Sequence, residues 1–196
     1  MSSFERYYQD LLEWEGIPFK PLIAQWADGD ARLIADDISQ AVDRSDLKSL
    51  VVPVRAGSTN QSMGNQVEEF FIATTKALLQ HFRIYKCSGQ GYPDRQLCER
   101  TGQRKFAFEL KATSQWNPTD SNRRVLTSSS QKLRDAFTAP INHLLATLCY
   151  NEETGGRRIL NVRLDFIQPT TEVSVRLEAS VNHKILSSGR HPHRLI

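Results

Sequence analysis

The spacing of hydrophobic residues changes along the chain from a helical period to a period of two. In the N-terminal part, aromatic and aliphatic positions recur every three or four residues, until Gly16 and Pro18 interrupt them. This spacing predicts three helices, over residues 4–15, 21–26 and 31–42. A cluster of Pro, Gly and Ser then predicts a boundary, with residues 1–56 as a helical segment and residues 57–196 as the main domain.

The pattern after Gly64 predicts a particular order of elements. A helical stripe runs through Val67, Phe71 and Phe82, and shorter hydrophobic runs bounded by turn residues follow it. The predicted elements are a helix over 64–82, strands over 83–87, 94–99 and 105–112, a helix over 128–137 with a serine as N-cap, and strands over 141–150 and 157–167. This order predicts an α/β fold of the α+β type, in which helices flank a mixed central β-sheet. Weaker alternating runs at 173–178 and 181–186 predict further strands.

Charged residues interrupt the predicted strand 105–112 on one face only. Alternation places Glu109 and Lys111 on the face opposite the phenylalanines of the same strand. A turn at Thr101–Gly102 would form a hairpin in which residues whose numbers sum to 203 lie opposite each other. In that register Asp94 faces Glu109, with Cβ atoms about 5 Å apart. The sequence therefore predicts one cluster of Asp94, Glu109 and Lys111.

The composition of this cluster indicates metal chemistry. Two carboxylates at such a distance repel each other unless a cation neutralises them, and one lysine neutralises only part of their charge. Carboxylate oxygens with room for water and phosphate oxygens suit Mg²⁺. A bound Mg²⁺ can polarise a phosphodiester and lower the pKa of a bound water, while the lysine orients that water or stabilises charge.

The motif resembles that of a known enzyme family. Pro93–Asp94, fourteen intervening residues and then Glu109–Leu110–Lys111 are similar to the PD-(D/E)xK nuclease motif, and the predicted order of elements is similar to the αβββαβ core of restriction-endonuclease-like proteins. The resemblance implies that Asp94 and Glu109 bind Mg²⁺, that the backbone carbonyl of Leu110 adds a ligand, and that Lys111 is catalytic.

The resemblance also implies a glutamate on the first core helix. Members of the family often have it in a Gly-x-x-x-Glu context, and the segment that begins at Gly64 offers Glu68. Glu69 is the alternative, because the phase of a helix is not determined to one residue by sequence. Taken alone, Glu68 or Glu69 is equally compatible with an ordinary solvated side chain on a helix.

Composition and charge restrict the partners. The chain of 196 residues is 39% hydrophobic and contains no apolar run of the length that crosses a membrane, and its N-terminus is too polar for a signal peptide, so a cytoplasmic location is expected. Residues 1–56 contain ten acidic and six basic residues, whereas the remainder contains twelve acidic and nineteen basic residues. The basic remainder is compatible with phosphate contacts. Asn117, Arg123 and Arg124, after the motif strand, are candidates for DNA binding.

These features favour a Mg²⁺-dependent, sequence-specific DNA endonuclease similar to type II restriction enzymes. Cutting both strands of a palindromic site favours a homodimer with one active site for each strand, and the helical segment 1–56 is the candidate for dimerisation or DNA contacts. One alternative keeps the chemistry but changes the substrate, as in a Holliday-junction resolvase or a repair nuclease. Another alternative is a non-catalytic nucleic-acid-binding or protein-interaction module, in which the charged strand face is only surface.

Overall fold

Helices and a mixed β-sheet build the protein, which belongs to the α+β class. The computed structural model describes residues 2–55, 57–89, 92–114 and 129–173. Within these residues the helices are α1 (Phe4–Trp14), α2 (Asp28–Arg44), α3 (Asn60–Thr75) and α4 (Gln131–Ala136), with a 3₁₀ turn at Leu47–Ser49. The strands are β1 (Ser2–Ser3), β2 (Val51–Pro53), β3 (Phe82–Lys86), β4 (Arg95–Glu99), β5 (Lys105–Thr113), β6 (His143–Glu153), β7 (Gly156–Ile167) and β8 (Glu172–Val173).

Six of the described strands form one sheet in the order β2–β7–β6–β5–β4–β3. Neighbouring strands are antiparallel except for β5 and β6, which are parallel and are connected through α4. A separate two-stranded sheet joins β1 to β8. From α3 to β6, the order helix, three strands, helix, strand agrees with the order predicted from the sequence.

Hydrophobic residues cover both faces of the sheet. On one face, α2 and α3 pack against alternate residues of β5, among them Phe106, Phe108 and Leu110. On the other face, α1 and α4 pack against Tyr92 and Ala107. The alternation predicted for β5 is therefore confirmed: its phenylalanines enter one core, and the opposite face contains the charged pair.

The segment before residue 57 contributes to both cores. Residues of α1 lie in one hydrophobic cluster, and residues of α2 lie in the other. Strand β2 also pairs with β7 at one edge of the six-stranded sheet. The division at residue 56 and the role in dimerisation stay predictions, but this segment already buries much of its hydrophobic surface within the described chain.

Residues 21–26 do not form the predicted helix. They are extended, and Ile23 bridges Ile141 in parallel orientation, with the amide of Ala24 donating to the carbonyl of Ile141 at 2.8 Å. Trp26 enters the core, where its Nε1 donates to the carbonyl of His143 at 2.9 Å and its ring stacks on Phe106. These long-range contacts outweigh the weak helical period of the segment.

Helix α3 ends earlier than its hydrophobic stripe predicts. The last helical residue is Thr75, and Phe82 begins β3. Between them the chain turns over the buried carboxylate of Asp37, which accepts the backbone N–H groups of Gln80, His81 and Phe82 at 2.7, 2.9 and 3.2 Å. A side chain distant in sequence thus satisfies donors that a longer helix would have paired.

Replacing Asp37 with alanine is expected to lower the free energy of unfolding by about 3 kcal/mol, because the buried N–H of Phe82 and the partly buried N–H groups of Gln80 and His81 lose their acceptor. Urea denaturation followed by circular dichroism would measure this loss. Asp36→Ala is the matched control, since it removes the same charge from the neighbouring, less buried position. A loss below about 1 kcal/mol for Asp37→Ala would contradict the assignment.

Among the described residues, no helix combines the length and the hydrophobicity that a membrane span requires.

Candidate active site

The β4–β5 hairpin has the register predicted from the sequence. Arg95 pairs with Phe108 and Cys98 pairs with Lys105, so the numbers of opposed residues sum to 203. Gly102 in the turn has a positive φ of 78°, which favours glycine. One step beyond the last pair, the backbone N–H of Asp94 donates to Oε2 of Glu109 at 2.9 Å. The two carboxylates predicted to meet are therefore neighbours.

Glu109 and Lys111 form a largely buried ion pair. The Nζ of Lys111 lies 2.5 Å from Oε1 of Glu109, whose side chain is only 5% exposed. Burial raises the pKa of Glu109, and the nearby charge of Asp94 adds to this effect, although Lys111 counteracts both. Burial lowers the pKa of Lys111, but Glu109, together with Glu68 and Asp94, outweighs that effect and the pKa is raised overall. Lys111 therefore stays charged at neutral pH.

Glu68 of α3 belongs to the same cluster. The pKa of this carboxyl is raised to about 8, mainly by burial, and the negative charges of Glu109 and Asp94 contribute to the rise while Lys111 opposes it. Glu69 has a different environment: its side chain is 61% exposed, and its Oε1 lies 2.5 Å from a guanidinium nitrogen of Arg95. Of the two glutamates left open by the sequence, Glu68 is therefore the one that interacts with the motif.

Lys132 of α4 is part of the site, and sequence reasoning missed it. Its Nζ lies 3.0 Å from Oδ1 of Asp94, and its side chain is 4% exposed, whereas that of Asp94 is 49% exposed. The sequence predicted the helix but did not indicate which face of it meets the sheet. A lysine in a short helix that follows a polar loop reads as a solvated residue.

The N-terminus of α4 differs from the expected cap. Ser130 occupies the N-cap position, but its side chain makes no capping hydrogen bond. Its hydroxyl instead donates to Oε2 of Glu15, just past α1, and its backbone N–H donates to Oε1 of the same carboxylate at 2.8 Å. Burial raises the pKa of Glu15, but these hydrogen bonds and the charge of Arg134 lower it overall. A carboxylate from the N-terminal segment therefore anchors the helix that contains Lys132.

A buried polar pair lies near the hairpin. The hydroxyl of Tyr92 is 2.7 Å from Nδ1 of His143, and the two rings are stacked. The Nε2 of His143 is 3.2 Å from the carbonyl oxygen of Leu22. Burial lowers the pKa of His143 to about 4, so the imidazole is neutral at pH 7. With both ring nitrogens partnered in the interior, His143 fits a structural role better than that of a metal ligand.

The remaining site candidates are located as follows. Leu110 lies in β5 beyond the last β4–β5 pair, between the two charged residues of the motif. Three residues predicted to contact DNA, Asn117, Arg123 and Arg124, lie outside the described residues. Their role stays a prediction.

The donors at this site suit a hard divalent cation, although both carboxylates of the hairpin already have lysine partners. In residues 2–55, 57–89, 92–114 and 129–173, no three His, Cys, Asp or Glu side chains are arranged to hold a metal ion. Burial and mutual repulsion raise the pKa values of Glu68 and Glu109, and a cation would offset that repulsion. By donor type and charge, and not by a ligand arrangement already formed among the described residues, Asp94 and Glu109 are the side chains that would hold Mg²⁺.

Comparison with known proteins adds no family assignment. No protein-family model and no curated protein matches the chain. The functional argument therefore depends on the chemistry of the cluster: three acidic groups and two lysines, contributed by the hairpin and two helices, meet at one end of that hairpin.

Proposed function

We propose that the protein is a Mg²⁺-dependent endonuclease that hydrolyses phosphodiester bonds in double-stranded DNA, similar to type II restriction enzymes. The observation that supports this proposal most is the juxtaposition of Asp94, Glu109 and Lys111, with Glu68 beside them. Groups with strongly shifted pKa values concentrate at functional sites, because a fold seldom maintains buried like charges for stability alone.

The roles of the residues follow from their chemistry. Asp94 and Glu109 would hold the cation, with the carbonyl of Leu110 as the further ligand that the family resemblance implies. Bound Mg²⁺ would supply charge stabilisation at the phosphodiester and a more acidic bound water. Lys111, charged and close to Glu109, would orient the attacking water or stabilise the charge that develops on the phosphate. Hydrolysis forms a bond from water oxygen to phosphorus, breaks the bond from phosphorus to the 3′ oxygen, and leaves 5′-phosphate and 3′-hydroxyl ends.

Sequence specificity and a homodimer belong to the same proposal. A restriction-type enzyme cuts both strands at a palindromic site, and a two-fold dimer brings one active site to each strand. Two observations are compatible with DNA as the substrate: the excess of basic residues after residue 56, and the exposed side of Asp94, where a large substrate could approach.

Plasmid cleavage tests this function. With Mg²⁺ the wild-type protein is expected to yield discrete fragments, and EDTA is expected to abolish cutting. Asp94→Asn removes one carboxylate charge and is expected to reduce the rate by at least about a hundredfold. Asp10→Asn, at an exposed position of α1, is the matched control and should cut like the wild type.

Other outcomes distinguish the alternatives. A smear in place of fragments would oppose sequence specificity but retain the nuclease. Preference for a four-way junction over a linear duplex of equal length would favour a resolvase. Calorimetry that detects no binding of Mg²⁺ or Mn²⁺, with no change in Asp94→Asn, would contradict the nuclease and favour a non-catalytic module.

A further inference from the structure

Lys132, which lies outside the motif, forms an ion pair with the motif residue Asp94. A lysine that is 4% exposed loses most of its hydration, and such an ammonium is stable in a protein only with close partners. Oδ1 of Asp94, at 3.0 Å, is one of these partners. The same carboxylate is one of the two that would hold a divalent cation. The ammonium of Lys132 and a bound divalent cation would therefore compete for the carboxylate oxygens of Asp94.

The position of Lys132 is constrained by the packing of α4. Leu133, the next residue, is fully buried in the hydrophobic cluster that α1 also joins. The following residue, Arg134, donates from Nε to the hydroxyl of Ser130, one turn earlier, at 2.8 Å, and Ser130 is bound to the carboxylate of Glu15. These contacts hold the helix against α1. The packing of α4 therefore fixes the position of the Lys132 ammonium beside Asp94.

We propose that Lys132 is an internal counter-ion that occupies Asp94 in the metal-free protein and competes with a divalent cation for this carboxylate. This inference rests on the function proposed above and adds a positioning residue to its site. Lys132 keeps Asp94 neutralised while no metal is bound, and the cation must displace the ammonium when it binds. The affinity for metal is therefore lower than the carboxylates alone would provide.

The competition predicts that removing the ammonium strengthens metal binding. In Lys132→Met, which keeps an unbranched side chain of similar length, Mn²⁺ is expected to bind on the order of tenfold more tightly than in the wild type. Isothermal titration calorimetry with Mn²⁺ at pH 7.5, without DNA, measures this directly. Lys132→Arg retains a positive charge and is expected to stay close to the wild-type affinity.

Two controls separate the contact from general effects of charge and folding. Lys105→Met removes the same charge from the exposed start of β5 and is expected to leave the affinity unchanged. Glu15→Ala removes the anchor of Ser130 without changing Lys132, and a smaller increase in affinity is expected because the ammonium is then held less firmly. This second variant provides the test if Lys132→Met does not give the far-ultraviolet circular dichroism spectrum of the wild type.

The outcomes are distinct for the two proposals. If the wild type binds Mn²⁺, Asp94→Asn weakens binding and Lys132→Met binds no more tightly, the counter-ion inference is wrong while the metal site stands. If Lys105→Met gains as much affinity for Mn²⁺ as Lys132→Met, the gain comes from the change in net charge, and the inference is again wrong. If no variant binds Mn²⁺, both proposals fail.

Discussion

Lys111→Ala is expected to reduce Mg²⁺-dependent DNA cleavage by at least about a hundredfold, the lower end of what a group that orients or transfers protons contributes. Its ammonium lies 2.5 Å from Glu109 and is the cation of the motif that acts on both buried carboxyls. Under the proposed function, a methyl group in place of the lysine side chain would leave the attacking water without its partner. Initial rates of plasmid cleavage at saturating Mg²⁺ would measure the loss.

The control for this variant is Lys105→Ala. Lys105 lies on the same face of β5 by alternation, yet it is exposed and far along the strand from Glu109, so its loss changes the net charge equally without affecting the cluster. Because removal of Lys111 leaves Glu109 buried with fewer partners, the stability of Lys111→Ala must be checked by urea denaturation before rates are compared. Equal cutting by Lys111→Ala and the wild type would show that the catalytic assignment is wrong.

Glu68→Gln is expected to stabilise the protein at alkaline pH by about 3–5 kcal/mol more than it does at pH 4.5. The folded protein raises the pKa of Glu68 from 4.5 to about 8, mainly by burial. Between these values the folded state binds more protons than the unfolded state, so the stability contributed by Glu68 is present below pH 4.5 and is lost as pH rises through about 8. A tenfold change in an acid dissociation constant corresponds to about 1.4 kcal/mol. Glutamine has no proton to lose and avoids this loss.

Urea denaturation between pH 4.5 and 9 in EDTA would test this expectation, since EDTA removes any cation that could neutralise the carboxylate. The difference in free energy of unfolding between Glu68→Gln and the wild type should grow from pH 4.5 to about pH 8 and then level off. Glu69→Gln removes the same charge from the exposed neighbouring position, and the pH dependence that Glu68 contributes should persist in it. If the difference in free energy of unfolding is the same at every pH, the carboxyl of Glu68 is solvated in the folded wild type and this prediction is wrong.

The opposite effects of these two variants would characterise the site. A cluster selected for stability alone would become less stable when any charged member is lost. A cluster maintained for binding or catalysis includes members whose removal is stabilising, because buried like charges are retained at a cost in free energy. Loss of cleavage in Lys111→Ala together with increased stability in Glu68→Gln would indicate a cluster maintained for binding or catalysis.

Local patterns were sufficient for the elements that create the site. The period of two in 105–112, the glycine at the turn and the alternation of charge with phenylalanine determine the hairpin, because all three depend on neighbours in sequence. The register that brings Asp94 to Glu109 follows from them. The helix over 31–42 and the strand over 141–150 are confirmed for the same reason.

The errors occurred where distant contacts compete with a weak local pattern. Residues 21–26 have a faint helical period, but a parallel bridge to Ile141 and the insertion of Trp26 into the core keep them extended. Helix α3 ends seven residues before its predicted end, and Asp37, on another helix, accepts amides of the segment that follows. Nothing near either segment in the sequence indicates these partners.

The sequence by itself determined the α+β class, the order of the core elements and the meeting of Asp94, Glu109 and Lys111, since one hairpin register contains all three residues. Only the tertiary structure decided which glutamate of α3 joins them and that Lys132 forms an ion pair with Asp94. The phase of a helix against a sheet is set by the packing of whole faces. Such packing is a property of the assembled core, and no short stretch of sequence contains it.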